Sequence, residues 1–533
     1  MQKPLFLVRL VLAPLVYFLT GILIFLTVEI IIAVSGNEWN WIEIVAEAYL
    51  AVENMLLYAL IITAGLGVIL FVLHLLKVRL GTLRLPRVLI PVSVLPVAGW
   101  VVLSLMPVRA GNTSMPDVYL IVADTLRQDY VSAERTPNIH FLSSESIFFS
   151  NAYTESPWTL TSFGSFLTGR HPQEHRAGTG AMRGEFGQSL RSDLAYLPEE
   201  MKKAGYQTVG LVTNAYLSSG TGMSRGFDYY YNIMEPRFHF SWSPSADMEK
   251  EYAPARMQLQ RAITWMKISV DKQKPVFMML QFMDPHLPYH KRSPWMGEEK
   301  ASVPGKFAEK DIRYGGEVRY MDDAIGDLLS ILGKSGRYKN ALVIFLSDHG
   351  EELSEGRKWS DSVPGTVDHG HSLYPEVVRA SLIIKPPVFS GGGIQCTDLA
   401  TLMDVPQTVA SILKLKTWPL DAGISLISSS GSCTEARRAV FQGGMLYGPN
   451  QYGMRIHRRT VLWQPGKDSW LSYSTETDPG HMNPLGETSE SLKKLLREHA
   501  RKMSKNKTST PQIKLTREEM EHLRSLGYMR QDK

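Results

Sequence analysis

A chain of 533 residues with 57 Lys and Arg against 52 Asp and Glu carries a formal charge of only +5. Its basic residues are dispersed, so it lacks the footprint of a nucleic-acid binder. Two cysteines, Cys396 and Cys433, exclude a disulfide-built scaffold; they bridge in an oxidising compartment or stand as two buried thiols.

Three apolar runs fill the start of the chain: Leu10 to Ala33, interrupted by Glu29; Leu56 to Leu76, with His74 near its end; and Val88 to Met106, free of charge. Each has about the length of a helix that crosses a bilayer, roughly 20 residues. A cleaved signal peptide would account for the first run only. Residues 1–110 are therefore expected to be a membrane anchor of three transmembrane helices, with the lipid bilayer as partner. Lys3 and Arg9 precede the first run, and Lys77, Arg79, Arg84 and Arg87 separate the second from the third. The intervening "GNEWNWIEIVAE" has three Glu and no Lys or Arg. The positive-inside rule then puts the N-terminus in the cytoplasm and everything after Met106 outside it.

Beyond a short linker, apolar β-rich runs alternate with helical patterns, which predicts an α/β domain over 116–415 with a mostly parallel sheet and helices on both faces. Strands are expected at 117–123, 207–213, 275–282, 341–347 and 379–385, and helices at 194–205 and 315–336. Residues 416–485 read as a small antiparallel C-terminal subdomain. Residues 486–533 read as a basic tail whose "LKKLLREHARKMSKNK" forms a solvated amphipathic helix and linker.

Three of the strands run directly into polar residues: the first into Asp124, the third into Met283, Asp284, Pro285 and His286, the fourth into Asp348, His349 and Gly350. Ligands bind beyond the carboxyl ends of strands in open parallel sheets, so these groups should meet on one rim. Asp124, Asp348 and His349 supply two hard carboxylates and an imidazole, a donor set for a divalent cation. "VDHGHSLYPE" adds Asp368, His369 and His371.

The motifs "VADTLRQD", "TPNIHFL", "FFSNAYTESPWTLTSFGSFLTGRHP", "FMDPHLPY", "FLSDHGEEL" and "DHGHSLYPEVVRASLI" follow one another in this order. In that order and spacing the chain resembles the sulfatase-like branch of the alkaline phosphatase superfamily. The resemblance implies that fold, with Asp124, Asp348 and His349 as metal ligands. It further implies that His286 and His369 contact the substrate or leaving group; in some relatives their equivalents hold a second metal ion. The family's nucleophile position, ten residues back from the Thr of "LTG" counted inclusively, falls on Thr159. A metal-coordinated Thr159 hydroxyl would act as nucleophile and itself be a ligand. Arg127, Asn151, Arg170 and His175 admit either support of the site or purely structural roles.

The resemblance also separates two chemistries. Sulfatases make formylglycine from a Cys or Ser in a Cys/Ser-x-Pro-x-Arg pattern, and Thr159, Thr161 and Phe163 stand at the three defining positions. Thr125 occupies a position where many sulfatases have a second carboxylate, and His349 one where many have Asn, which favours zinc or manganese over calcium. The expected function is a membrane-anchored, metal-dependent hydrolase or transferase of phosphate esters on lipid-linked or envelope substrates, resembling lipoteichoic acid synthases and phosphoethanolamine transferases. The alternatives are a sulfuric ester hydrolase and a non-catalytic membrane protein that kept the fold.

Overall fold

The computed structural model describes residues 106–108, 111–181, 186–232, 254–292, 294–295, 308–353, 369–504, 510–513 and 517, apart from 269, 390, 420, 422, 436–437 and 447. The three N-terminal apolar runs lie outside the described residues except for Met106, and so does Asp368. Among the described residues no helix is long and apolar enough to cross a membrane. The chain divides into two compact units. One is Met1–Val108 with Arg237–Met248 and Ile263–Ser269, of which only 106–108 and 263–268 are described. The other, Arg109–Pro236 with Glu249–Ala262 and Val270–Lys533, carries the fold that follows.

Its main sheet has eight strands: β1 (Val118–Ala123), β2 (Ile147–Phe149), β4 (Gln207–Val212), β5 (Tyr229–Asn232), β6 (Val276–Phe282), β7 (Leu342–Ser347), β9 (Leu382–Lys385) and β10 (Ile394–Cys396). Their order is β10-β2-β9-β7-β1-β6-β4-β5, while the short β3 (Ala152–Tyr153), β8 (Arg379–Ala380) and β11 (Ala400–Thr401) form a second sheet. β1 lies at the centre, parallel to β6 and β7, with Leu120 level with Met279 and Ile344. All three strands are buried along their whole length. That explains why they read as unbroken apolar runs instead of alternating ones.

The expected strand at 379–385 is split. Arg379 and Ala380 pair with β3, and Leu382–Lys385 joins the main sheet antiparallel to β7 and β2, so the sheet is mixed. The described helices include α1 (Pro137–Ser144), α2 (Thr159–Thr168), α3 (Leu197–Lys203), α4 (Ala308–Lys334), α5 (Val405–Leu413) and α6 (Glu490–Ser504). α4 begins at Ala308, ahead of Gly315 where the sequence pattern starts. Its Asp322 accepts from the backbone N–H of Asn138 (3.0 Å) and Ile139 (2.8 Å), satisfying the first turn of α1.

A four-stranded antiparallel meander follows: β12 (Ala439–Gln442), β13 (Tyr452–Ile456), β14 (Arg459–Gln464) and β15 (Ser469–Ser474). The C-terminal "LKKLLREHARKMS" is more than a solvated helix: α6 buries Leu496, Ala500 and Met503, with Leu496 packed in a cluster with Met454 and Val461. Cys396 and Cys433 are joined, with Cα atoms 5.8 Å apart. The loops of the meander reach the segment before α2: the Gly444 carbonyl accepts from Trp158 Nε1 (2.8 Å) and Ser156 Oγ (3.0 Å), and Gln442 Nε2 donates to the Thr154 carbonyl (2.8 Å).

Candidate active site

The polar residues gather where β1 and β7 end and α2 begins. Asp124 follows β1 directly, Asp348 and His349 follow β7, and Thr159 is the first residue of α2. All four side chains are buried. The Thr159 hydroxyl lies 3.4 Å from Asp124 Oδ2, to which it donates, and 3.4 Å from His349 Nε2. The residue before it, Trp158, is extended and offers no side-chain cap, so the amino end of α2 opens towards this group with its partial positive charge. At the other end Gly169 takes the left-handed conformation (φ 67°), which is the turn that "LTG" signals.

The other hydroxyls of the stretch have structural partners. Ser162 Oγ donates to the Asp348 carbonyl (2.7 Å), Thr161 Oγ1 to the Trp158 carbonyl (3.1 Å), and Ser165 Oγ lies 3.1 Å from His175 Nε2. His175 is thus a packing residue: its ring lies against Gly164, where a Cβ would come within 2.4 Å of it. Arg127 is held by Asp129 and donates to the Glu351 carbonyl (3.3 Å), Arg170 pairs with exposed Asp421, and Asn151 Nδ2 donates to the Thr397 carbonyl (3.2 Å).

The donor set fits a divalent cation. One ligand atom from each of Asp124, Asp348 and His349 lies within 4.8 Å of the others. Each carboxylate has one oxygen satisfied and one without a hydrogen-bond partner. Asp124 Oδ2 accepts from Asn214 Nδ2 (2.9 Å) and Gln281 Nε2 (2.8 Å), while Oδ1 is orphaned. Asp348 Oδ1 accepts from the backbone of His349 (2.8 Å) and Thr125 (3.2 Å), while Oδ2 is orphaned. These two orphaned oxygens lie at 3.7 and 3.5 Å from His349 Nε2, which is also 3.4 Å from the Thr159 hydroxyl. His349 Nδ1 donates to the Gly350 carbonyl (3.0 Å), which leaves Nε2 with the lone pair a metal needs.

Electrostatics agree. Burial, then repulsion from Asp348, pushes the Asp124 carboxyl up to about 7, and burial pushes Asp348 up to about 8. Two such groups ionise together only against a positive charge. Burial likewise lowers His349, so its imidazole is neutral, as a ligand must be. Thr125 holds a left-handed conformation (φ 58°), a strained state for a β-branched residue, and this turn aims its N–H at Asp348.

His286 and His369 stand beside the cluster. Their rings are 5.0 Å apart, and the His369 ring is 4.7 Å from that of His349. His286 Nδ1 donates to the Leu287 carbonyl (2.6 Å) and His369 Nδ1 to Glu351 Oε1 (2.8 Å). Burial lowers His286 to about 3 and His369 well below its ordinary value, so both are neutral near pH 7, with Nε2 as the acceptor nitrogen. His371 is committed at both nitrogens, to the His369 carbonyl (3.1 Å) and to Glu352 Oε2 (3.0 Å). Asp284, which also follows a strand, has partners of its own. It does not join the acidic group but accepts from the Ala255 N–H (3.0 Å) and lies 3.7 Å from Arg292.

With this geometry in hand, a family profile described as Sulfatase matches residues 116–415, more than half of the chain. The chain belongs to the sulfatase family. The N-acetylgalactosamine-6-sulfatase of Rattus norvegicus is 24% identical over 345 residues, which is 58% of this chain and 64% of that enzyme. The chain thus spans less than two thirds of that relative's length. An arylsulfatase of Clostridium perfringens is 23% identical over 322 residues, 47% of this chain and 66% of that protein. Among solved structures, the phosphonate monoester hydrolase of Agrobacterium radiobacter superposes with a TM-score of 0.58 at 17% identity, covering 73% of this chain and 95% of that one. A structure solved with its substrate D-glucosamine-2-N,6-O-disulfate gives the same TM-score at 18% identity, covering 74% and 99%. Similarity at that level is one of fold, shared by sulfatases and a phosphonate hydrolase alike.

On this sulfatase-family frame, four polar residues stand around the site that the sequence reading did not assign: Asn214, Gln281, Glu351 and Glu352. The two Glu follow "SDHG" directly, which was the available signal. Asn214 stands two residues past the end of β4, but an Asn after a strand is an ordinary turn residue. Gly350 is fixed by a close approach: a Cβ there would meet the Glu376 carbonyl oxygen at 2.1 Å, and its N–H donates to the Val377 carbonyl (2.7 Å).

Proposed function

We propose that the protein is a metal-dependent ester hydrolase in which the Thr159 hydroxyl is the nucleophile and a phosphate ester the preferred substrate. The observation that carries this reading is Thr159 Oγ1 at 3.4 Å from both Asp124 Oδ2 and His349 Nε2, at the open amino end of α2. Asp124, Asp348, His349 and Thr159 would hold the cation. Bound there, it lowers the pKa of the hydroxyl and offsets charge on the non-bridging oxygens of the substrate. Zinc or manganese suits two carboxylates and an imidazole.

Thr159 attacks phosphorus in line, its hydroxyl proton passing to Asp124 Oδ2; a Thr Oγ–P bond forms as the bond to the leaving-group oxygen breaks, and that oxygen departs as the alcohol once the proton is returned to it. The amino end of α2 faces the developing negative charge. Neutral His286 and His369 have Nδ1 occupied and present Nε2 as a hydrogen-bond acceptor to the water that attacks phosphorus; one water proton returns to Thr159 Oγ1 as phosphate is released. Release to an acceptor hydroxyl would make the same site a transferase. Anchoring by residues 1–110, with the catalytic domain outside the cytoplasm and a lipid-linked or envelope substrate, belongs to the same proposal.

A second reading is hydrolysis of a sulfate ester, which the names of the matched relatives support. Two measurements separate them. The full-length protein, loaded with zinc or manganese, is assayed on bis(p-nitrophenyl) phosphate, p-nitrophenyl phosphate and p-nitrophenyl sulfate, and the peptide holding residue 159 is weighed by mass spectrometry. The phosphate reading expects an unmodified Thr and faster turnover of a phosphate ester. Efficient sulfate release with both phosphate esters inert would establish the second reading instead.

A further inference from the structure

Asn214 is buried completely, and its amide orientation is fixed by the backbone. The Tyr216 N–H, which can only donate, lies 2.9 Å from one amide atom and identifies it as Oδ1. The other atom is therefore Nδ2. It points at Asp124 Oδ2 (2.9 Å) and at Thr159 Oγ1 (3.4 Å), so its two hydrogens have two targets. The backbone is held too, because the Asn214 carbonyl accepts from Asn232 Nδ2 (3.0 Å). Gln281 offers an internal comparison. Its Oε1 accepts from the Thr213 N–H (2.8 Å), its Nε2 donates to the same Asp124 Oδ2 (2.8 Å), and none of its hydrogen bonds reaches Thr159.

We propose that Asn214 is a catalytic residue: its Nδ2–H is a fixed donor to the Thr159 oxygen. This rests on Thr159 as the nucleophile. The hydroxyl donates its own hydrogen to Asp124 Oδ2, and Asn214 occupies one lone pair of Oγ1. The second lone pair would face the cation, so the pair released as the hydrogen passes to Asp124 Oδ2 is the one that attacks, and the oxygen is kept in one orientation before substrate arrives. A preset, buried donor of this kind stabilises the oxygen as it gains charge without any reorganisation at the moment of attack. Removal of one such donor typically costs on the order of 100-fold in kcat.

The test uses the full-length protein with zinc or manganese and the phosphate ester it turns over. Asn214→Ser keeps an acceptor for the Tyr216 N–H but is too short to donate to Thr159; Asn214→Ala and Gln281→Ala are made beside it. Cation affinity is read by calorimetry, and the rate of phosphate attachment to Thr159 by rapid quench and mass spectrometry. The expected result is that both Asn214 variants lose about 100-fold in that rate and in kcat at saturating cation, with KM changed little. Gln281→Ala should lose cation affinity, with a loss of kcat at saturating cation at least about 10-fold smaller than that of the Asn214 variants. If the Asn214 variants lose no more kcat than Gln281→Ala at saturating cation, Asn214 acts only by orienting Asp124 and the proposal is overturned. If Asn214→Ala fails to fold, the Ser variant decides. If Thr159→Ala itself remains active, the nucleophile reading has failed, which is a different result from equal behaviour of the Asn214 and Gln281 variants.

Discussion

On one side of Thr159, two buried carboxylates each keep an oxygen with no hydrogen-bond partner; on the other, His286 and His369 have their Nδ1 atoms engaged by a carbonyl and a carboxylate. The first side is incomplete as a set of protein groups and calls for a cation. The second is neutral, with each Nδ1 engaged and Nε2 offered as an acceptor. One strand end feeds both, since His349 turns to the acidic side while Glu351, two residues later, orients His369. Two kinds of chemistry are thereby fixed by a few consecutive backbone positions.

The strongest challenge to this division is Thr159→Ala, which should lower turnover by about 10,000-fold or more while the circular dichroism spectrum is unchanged. His349→Ala comes next, with a fall of at least about 100-fold in zinc or manganese affinity measured by calorimetry. Glu351→Ala should leave that affinity nearly intact yet reduce kcat by about 10-fold to 100-fold, because the His369 ring loses the carboxylate that fixes it; equal losses in affinity would erase the distinction between the sides.

Removing the cation gives a stability signature. The ordinary Asp value is 3.8, and burial raises Asp124 to about 7 and Asp348 to about 8. Between those limits the cation-free folded protein holds protons that the unfolded chain has released. The buried histidines, whose values are lowered, oppose this up to their ordinary value of 6.5, so the melting temperature should fall as pH rises from about 6.5 to about 8, and added zinc or manganese should reduce the fall. A flat profile in chelator would contradict the burial of two uncompensated carboxyls. The smallest effect is expected of Asp284→Asn: cation affinity within about 2-fold of normal, and about 1 kcal/mol of stability lost through its contacts with the Ala255 N–H and Arg292, read by denaturant titration.

The parts of this arrangement that were legible in the sequence are those where a long buried strand ends in a charged residue. β1, β6 and β7 announce themselves as apolar runs, and Asp124, Asp348 and His349 follow from the rule that ligands gather at carboxyl ends. The same rule does not assign a role: Asp284 also follows a strand, yet it serves the Ala255 N–H and Arg292, because an Asp can serve a neighbouring backbone N–H as readily as a metal. β2 and β10, of three residues each, are too short to show a period, and the antiparallel β9 cannot be told from a parallel strand by composition. Asn214 and Gln281 were hidden for another reason: amides carry no charge to mark them, and their importance arises only from which backbone N–H fixes their orientation.

Gly350 bears on how binding free energy is distributed. With the Glu376 carbonyl oxygen where a Cβ would stand, and a hydrogen bond from its N–H to Val377, the segment carrying Asp348, His349 and Glu351 is clamped to the chain that leads into β8. The ordering of these side chains is therefore settled during folding, before any cation or substrate is met. A ligand entering such a site loses little to rearrangement of the protein, and nearly all of its interaction free energy is left for affinity and for the transition state.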